Sequence, residues 1–474
     1  MEELNKYLSD KKNKRPLLFR GGTIISMDPK IGTIVKGDIL VVGNKIKAIG
    51  IVSEVPSDAL IIDITGKIIM PGFIDSHRHT WETVTRGVGG DWSLLDYFKW
   101  MIQVLGTKFR PEDVYASNLL AAVESLEHGI TTFADWADIG LTTDHIEAAV
   151  KGLEDSGVRG RFHYANVYGP SQEWGTTTHV TKMWDQYGST DGLVSMKMGL
   201  DSTRDPAFPD AAAWRFAQDR GIPIATHAGL YGWDHEVWIK RLFHNGFMNE
   251  NVNYIHTVSI TDDDFKRIKD TGGTITIATC SNCNAGQGYP RITPICNHKI
   301  PIGLGSDTDM RWNQSMFEIM RTTLGADRAY EHMLAHKDGH LNPINKLRSE
   351  HVLQFATMGG AQGMNMADKI GSLTPGKKAD MIVINNSDDR NLSHQYNPMA
   401  HVVFQGNSEK VDMVLVDGKI VKANGKLVNI DMKKVTDLAK KSRDYIIETV
   451  GEEMIYKMLK ESSTDPSAVP PIRF

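Results

Sequence analysis

The chain has 474 residues, 41% hydrophobic and 23% charged, with a formal net charge of −5 and three cysteines. That length suits one large barrel with an accessory module. The charge offers no field for nucleic acid or an anionic membrane, and three cysteines argue against a disulfide framework. The charged start, MEELNKYLSDKKNKRP, lacks a signal-peptide core and no apolar run reaches the ~20 residues of a membrane helix, so a cytoplasmic protein is expected.

Residues 17 to 70 read as short strands punctuated by Gly21-Gly22, Gly43-Asn44 and Gly66-Lys67, as in β-hairpins. The pattern returns in ADMIVIN (379–385), AHVVFQG (400–406) and VDMVLVDGKIVKANGKLV (411–428), predicting a β-sandwich built from both chain ends. Between them, eight short apolar runs alternate with stretches of helical spacing. They are 72–79, 131–137, 159–167, 193–200, 223–229, 253–258, 274–281 and 300–308. Such alternation indicates βα units around a parallel sheet buried on both faces, and eight of them fit a (β/α)8 barrel. An open doubly wound sheet is the alternative, weakened by the lack of a glycine-rich phosphate fingerprint after the first run. The expected division is 1–70 and 368–430 for the sandwich, 71–367 for the barrel, and 431–474 for a helical segment and a proline-containing tail.

In a barrel of this kind, reactive groups gather where strands end. Run one ends in His77-Arg78-His79, run five carries His227, run six His256 and run eight Asp307. Residues i and i+2 of a strand share a face, so His77 and His79 can both look inward while Arg78 looks out. With His227 and Asp307 they form a three-nitrogen, one-oxygen set suited to one divalent metal, Zn²⁺ first, with Fe²⁺ or Mn²⁺ also compatible. A lone strand histidine is ordinarily a hydrogen-bonded core residue, and His163 of run three is read that way. Four such groups at the same end of four strands make a site.

The segments MPGFIDSHRHT, GLGSDT and ATMGGAQGMNMADKIGSLTPGKKADMIVI, with the single histidines of runs five and six, resemble the amidohydrolase superfamily. The nearest branch is that of the cytosine and guanine deaminases and triazine hydrolases, and the resemblance runs from about residue 17 to 430. It implies a distorted (β/α)8 barrel with a composite β-sandwich, and one metal held by His77, His79, His227 and Asp307. It also implies hydrolysis of a C–N bond in a small cyclic or heteroaromatic substrate, with Asp307 accepting the water's proton and His256 orienting water or polarising substrate. Relatives of this kind are often dimers or tetramers, so a homo-oligomer is expected.

One departure stands out. The branch usually has a glutamate three residues after the strand-five histidine, and here Leu230 takes its place. Glu82 is the first candidate to supply the missing acid, Asp309 the second, and Asp234 or Glu236 the third. The departure keeps open, beside deamination, hydrolysis of a cyclic amide or imide and displacement of another leaving group such as halide. A non-catalytic assembly protein is a further alternative, disfavoured by the complete ligand set. Trp81, Glu82, Trp92, Asn282 and Asp309 are the expected substrate contacts, with the DWSLLDYFKW segment (91–100) as a cover. Cys280-x-x-Cys283 stands without a second such pair and is not read as a redox or zinc motif.

Overall fold

A computed structural model describes residues 2–10, 13–201, 205–230, 237–385 and 396–460. Asp234, Glu236 and the tail beyond Lys460 lie outside the described residues.

Seven of the apolar runs become barrel strands: β1 (Phe73–His79), β2 (Ile130–Ala137), β3 (Arg159–Tyr164), β4 (Val194–Gly199), β5 (Ile224–Ala228), β6 (Val252–His256) and β7 (Thr274–Ile277). The eighth strand, β8, comes in two pieces, Ile302–Leu304 and Asp307–Thr308. Each strand pairs in parallel with the next. The first piece of β8 pairs with β7 and the second with β1, so the break in β8 is what lets the sheet meet itself. Gly305 stands at that break because a Cβ there would lie 2.8 Å from the His77 carbonyl oxygen. Close approach of this kind is open only to glycine.

Every residue of β1, β2 and β3 is buried, as expected for strands covered on both faces. The covering helices carry ordinary local signals. The helix Pro111–Glu127 starts with proline at its first turn, and Thr143–Ser156 ends on Gly157 at φ +77°.

The second sheet has nine strands. Five come from the N-terminal side, running from Leu17–Ile25 to Ile68–Pro71, and four from the C-terminal side, from Met381–Ile384 to Lys426–Leu427. The two sets join where Met381–Ile384 pairs antiparallel with Ile68–Pro71. Phe19, Ile39, Ile62, Met381 and Leu415 share one core, so both chain ends are needed to close it. Arg159 at the start of β3 ties the barrel to this sheet, with Nε 2.5 Å from Asp380 and Nη2 3.0 Å from Asp417.

Two local expectations are corrected. Residues 400–406 are not a strand: 400–405 belong to the helix Pro398–Gln405 and Gly406 caps its end, because Asn397 caps the start through the Ala400 N–H and Pro398 sits at its first turn. Run seven ends at Ile277, and Thr279–Ala285 is helical. Cys280 and Cys283 stand one turn apart in that helix, and burial pushes the Cys280 thiol up to about 11, which keeps it from acting as a ready thiolate.

Candidate active site

The strand ends deliver their side chains to one point inside the barrel. His77 and His79 are buried and face inward, while Arg78 between them faces outward, as the pleat requires. His77 Nε2 lies 3.1 Å from Asp307 Oδ1 and 3.2 Å from His227 Nε2. His79 Nε2 lies 3.4 Å from the same Asp307 oxygen. The His256 ring stacks on His227 with centroids 5.3 Å apart. Asp307 at φ +67° and His256 at φ +74° occupy the left-handed region, followed by β-branched Thr257 at +51°. Such conformations cost of order 1–3 kcal/mol each and cluster at functional sites. Here they turn two strand ends toward the barrel axis.

The donor set fits a divalent metal. Asp201, just beyond β4, accepts the Nδ1 hydrogen of His227 at 2.9 Å, leaving the His227 Nε2 lone pair aimed at His77 Nε2. Asp138, just beyond β2, plays the same part behind His79, with Oδ1 3.4 Å from its Nδ1. Carboxylates behind ligating imidazoles fix the ring orientation and raise ligand basicity. Burial pushes His77 well below the usual imidazole range and His256 down to about 3, so both rings are neutral. Burial would raise Asp307, yet the surrounding imidazoles hold it well below the usual carboxylate range. Burial likewise opposes charge on His79, but Asp138, Glu82 and Asp307 outweigh it and push this ring up to about 10. The negative field of these three carboxylates at His79 is complementary to a cation's charge.

A pocket opens above these groups. Its polar lining includes His79, Asp138, Asp201, His256, Gln287 and Asp307. Leu94, Tyr97, Phe98, Ile102 and Leu230 form an apolar wall. The cover expected from the early aromatic segment is thus supplied by Leu94, Tyr97 and Phe98.

Several expected contacts fall elsewhere. Trp81 is fully buried against Phe109, with its indole N–H donated to Asp138 at 2.6 Å, so it braces the site from behind. Trp92 donates to the Met458 carbonyl at 3.0 Å and packs in the core. Asp309 is fully buried and gripped by Arg78, with Nε–Oδ1 and Nη2–Oδ2 both at 2.7 Å. It does not line the pocket. Asn282 is buried and does not line the pocket; its amide lies 2.9 Å from His256 Nδ1 and donates to Gln287 at 2.8 Å. Glu82 sits behind the wall, where Oε1 accepts from the Tyr97 hydroxyl at 2.8 Å and Oε2 has no hydrogen-bond partner. Burial pushes its carboxyl up to about 8.

Asp138, Asp201 and Gln287 were not among the expected site residues. The first two carried a usable signal, since WAD and GLD each place a carboxylate just past an apolar strand, as GSD does for Asp307. Gln287 follows a seven-residue helix and carried none.

A closed parallel barrel with four histidines and an aspartate converging at its C-terminal end defines a metal-dependent hydrolase. The chain belongs to the Amidohydrolase family, whose model matches residues 68–421. It is 25% identical over 453 residues to the 5'-deoxyadenosine deaminase of Methanosarcina mazei, covering 92% of this chain and 99% of that one. It is 28% identical over 392 residues to the 5-methylthioadenosine/S-adenosylhomocysteine deaminase of Acetivibrio thermocellus, covering 79% and 86%. In fold it is similar to the zinc complex of the atrazine chlorohydrolase of Arthrobacter aurescens, with TM-score 0.77 at 22% identity over 90% of this chain and 100% of that one. It is similar also to a zinc-bound adenosine deaminase of Xanthomonas campestris, with TM-score 0.78 at 18% identity over 91% and 98%. The chain is a hydrolase of this family, acting with a divalent metal on carbon–nitrogen bonds of small molecules.

Proposed function

We propose that the chain is a zinc-dependent aminohydrolase that removes an exocyclic amino group from a small heteroaromatic ring. The observation that carries this reading is the convergence of His77, His79, His227 and Asp307 beside a pocket with an apolar wall, in two overlapping groups, His77–His79–Asp307 and His77–His227–His256. The deaminase names of the full-length relatives support the leaving group. When bound to these four residues, the metal supplies a water acidified toward neutrality. Asp307 Oδ1 faces the ligand imidazoles and Oδ2 faces Gln287, so one oxygen is available to take the proton of the attacking water. His256 borders the same point from β6. Tyr97, Phe98 and Leu94 offer flat apolar surface for a ring.

Leu230 cannot carry a proton to the ring or leaving group. We assign that part to Glu82, which burial keeps protonated at neutral pH; its proton reaches the pocket edge when the Tyr97 hydroxyl, 2.8 Å away, turns to accept from the carboxyl and donate to the ring. We also propose a cytoplasmic homo-oligomer, dimer or tetramer. Exposed Tyr330, Met333 and Leu334 on the helix Met316–Lys337, with Leu341 and Ile344 beyond it, support an interface, which sedimentation checks.

Ammonia release from the zinc-loaded enzyme tests the reaction, using 5'-deoxyadenosine, 5'-methylthioadenosine, S-adenosylhomocysteine, guanine, cytosine and aminotriazines. Ammonia from at least one is expected. The apolar Leu230 favours one second reading, hydrolysis of a cyclic amide or imide or displacement of halide. Turnover of a lactam, imide or chlorotriazine with no ammonia from any amine would establish that reading instead.

A further inference from the structure

A chain of buried amides links two groups of the site. Gln287 Nε2 lies 3.4 Å from Asp307 Oδ2, Gln287 Oε1 lies 2.8 Å from Asn282 Nδ2, and that same Nδ2 lies 2.9 Å from His256 Nδ1. Asn282, His256 and Asp307 are at most 2% exposed and Gln287 is 4% exposed, so water does not compete along most of this path.

The orientation of every member follows from its end. An ionised carboxylate only accepts hydrogen bonds, so Gln287 presents its NH₂ to Asp307 and its oxygen to Asn282. Asn282 must then present its NH₂ to Gln287. The two hydrogens of that NH₂ are both used, one on Gln287 Oε1 and one on His256 Nδ1. Reversing both amides would set Gln287 Oε1 against the Asp307 carboxylate and bury two Asn282 N–H donors without an acceptor, which costs more than the one unpartnered Asn282 oxygen in the observed arrangement.

We infer that Asn282 and Gln287 are positioning residues that hold His256 as the Nε2–H tautomer, making it a hydrogen-bond donor toward the reacting group and neither a base nor a metal ligand. With Nδ1 occupied as an acceptor, the one remaining hydrogen of the neutral ring sits on Nε2. A fixed donor beside the site stabilises negative charge that develops on a substrate atom during attack by water. The same chain joins His256 to Asp307, so the donor and the proton acceptor are set by one hydrogen-bond path. None of this depends on which ring is hydrolysed.

The tautomer is read from imidazole ¹⁵N shifts and long-range ¹H–¹⁵N correlations in zinc-loaded protein labelled at histidine, with His256→Gln identifying the signals of that ring. Wild type is expected to show a hydrogen-bearing Nε2 and a bare Nδ1. Asn282→Asp places an acceptor opposite Nδ1 and is expected to move the hydrogen there. It should lower kcat about 100-fold, with KM changed only a few-fold, on whichever substrate the ammonia and lactam assays return. Zinc content should stay at the wild-type level, since no ligand has been altered. Gln287→Leu is expected to leave both tautomers visible. A hydrogen on Nδ1 in wild type, or an unchanged tautomer in Asn282→Asp, would overturn the inference whatever the outcome of the substrate screen.

Discussion

Glu82 and Asp135 show how burial sets the chemistry of single carboxyls. Glu82→Gln keeps the Tyr97 contact but removes the transferable proton, so kcat should fall by about two orders of magnitude or more while KM stays within a few-fold. Steady-state kinetics on the identified substrate check this. A change in KM alone would make Glu82 a binding residue. Asp135 on β2 is pushed up to about 6, chiefly by burial, against hydrogen bonds from Thr80 and Asn118. Its folded pKa exceeds its unfolded one, so the unfolded chain releases this proton first and stability falls as pH rises from about 4 through 6. Asp135→Asn can still accept from Asn118 and donate to Thr80, and it carries no such penalty. Between pH 5 and 7.5 the variant should gain about 1–1.5 kcal/mol on wild type, measured by urea unfolding at both values. No pH-dependent difference would reject the shift.

At the scale of elements, the seam between β1 and β8 deserves a direct test. Arg78 leaves β1 outward and meets Asp309, just past β8, with Thr83 also donating to that carboxylate at 2.6 Å. The pair clasps the two strands that carry His77, His79 and Asp307, three of the four ligands we propose. Asp309→Asn leaves a buried guanidinium without its main counter-charge and should cost about 3–5 kcal/mol. The denaturant midpoint should drop, and a loss below about 1 kcal/mol would show that Glu124, 3.5 Å from Arg78, suffices alone. This partner was invisible in sequence: Asp309 and Asp307 stand in the same SDTD stretch, and only the turn of the backbone at Asp307 sends one inward and the other out.

For the whole molecule, the metal is a structural load as well as a reagent, because the four ligands we propose come from β1, β5 and β8. Stripping it with a chelator should lower the thermal midpoint, and zinc should restore it. A ligand present at a thousand times its dissociation constant contributes about 4 kcal/mol to the folded state. An unchanged midpoint in protein shown by elemental analysis to have lost its metal would mean that the hydrogen bonds of Asp138 and Asp201 to His79 and His227 hold the site without it.

Much of this was legible in the amino-acid sequence. The eight apolar runs determined the barrel strands, because a strand buried on both faces must be apolar along its length. The i, i+2 spacing determined that His77 and His79 face one way, and the carboxylate and imidazoles at strand ends marked the groups that the structure brings together. The tertiary structure alone decided which neighbours those groups would meet. It sent Trp81, Trp92 and Asp309 into packing and ion pairing, and set Asp138 and Asp201 behind the ligand rings. It brought Asn282 and Gln287, on and just past the helix after β7, against His256 at the end of β6. The reason is physical: strand period and burial act along the chain, whereas a hydrogen-bond partner is chosen by distance in space between segments that the sequence leaves far apart.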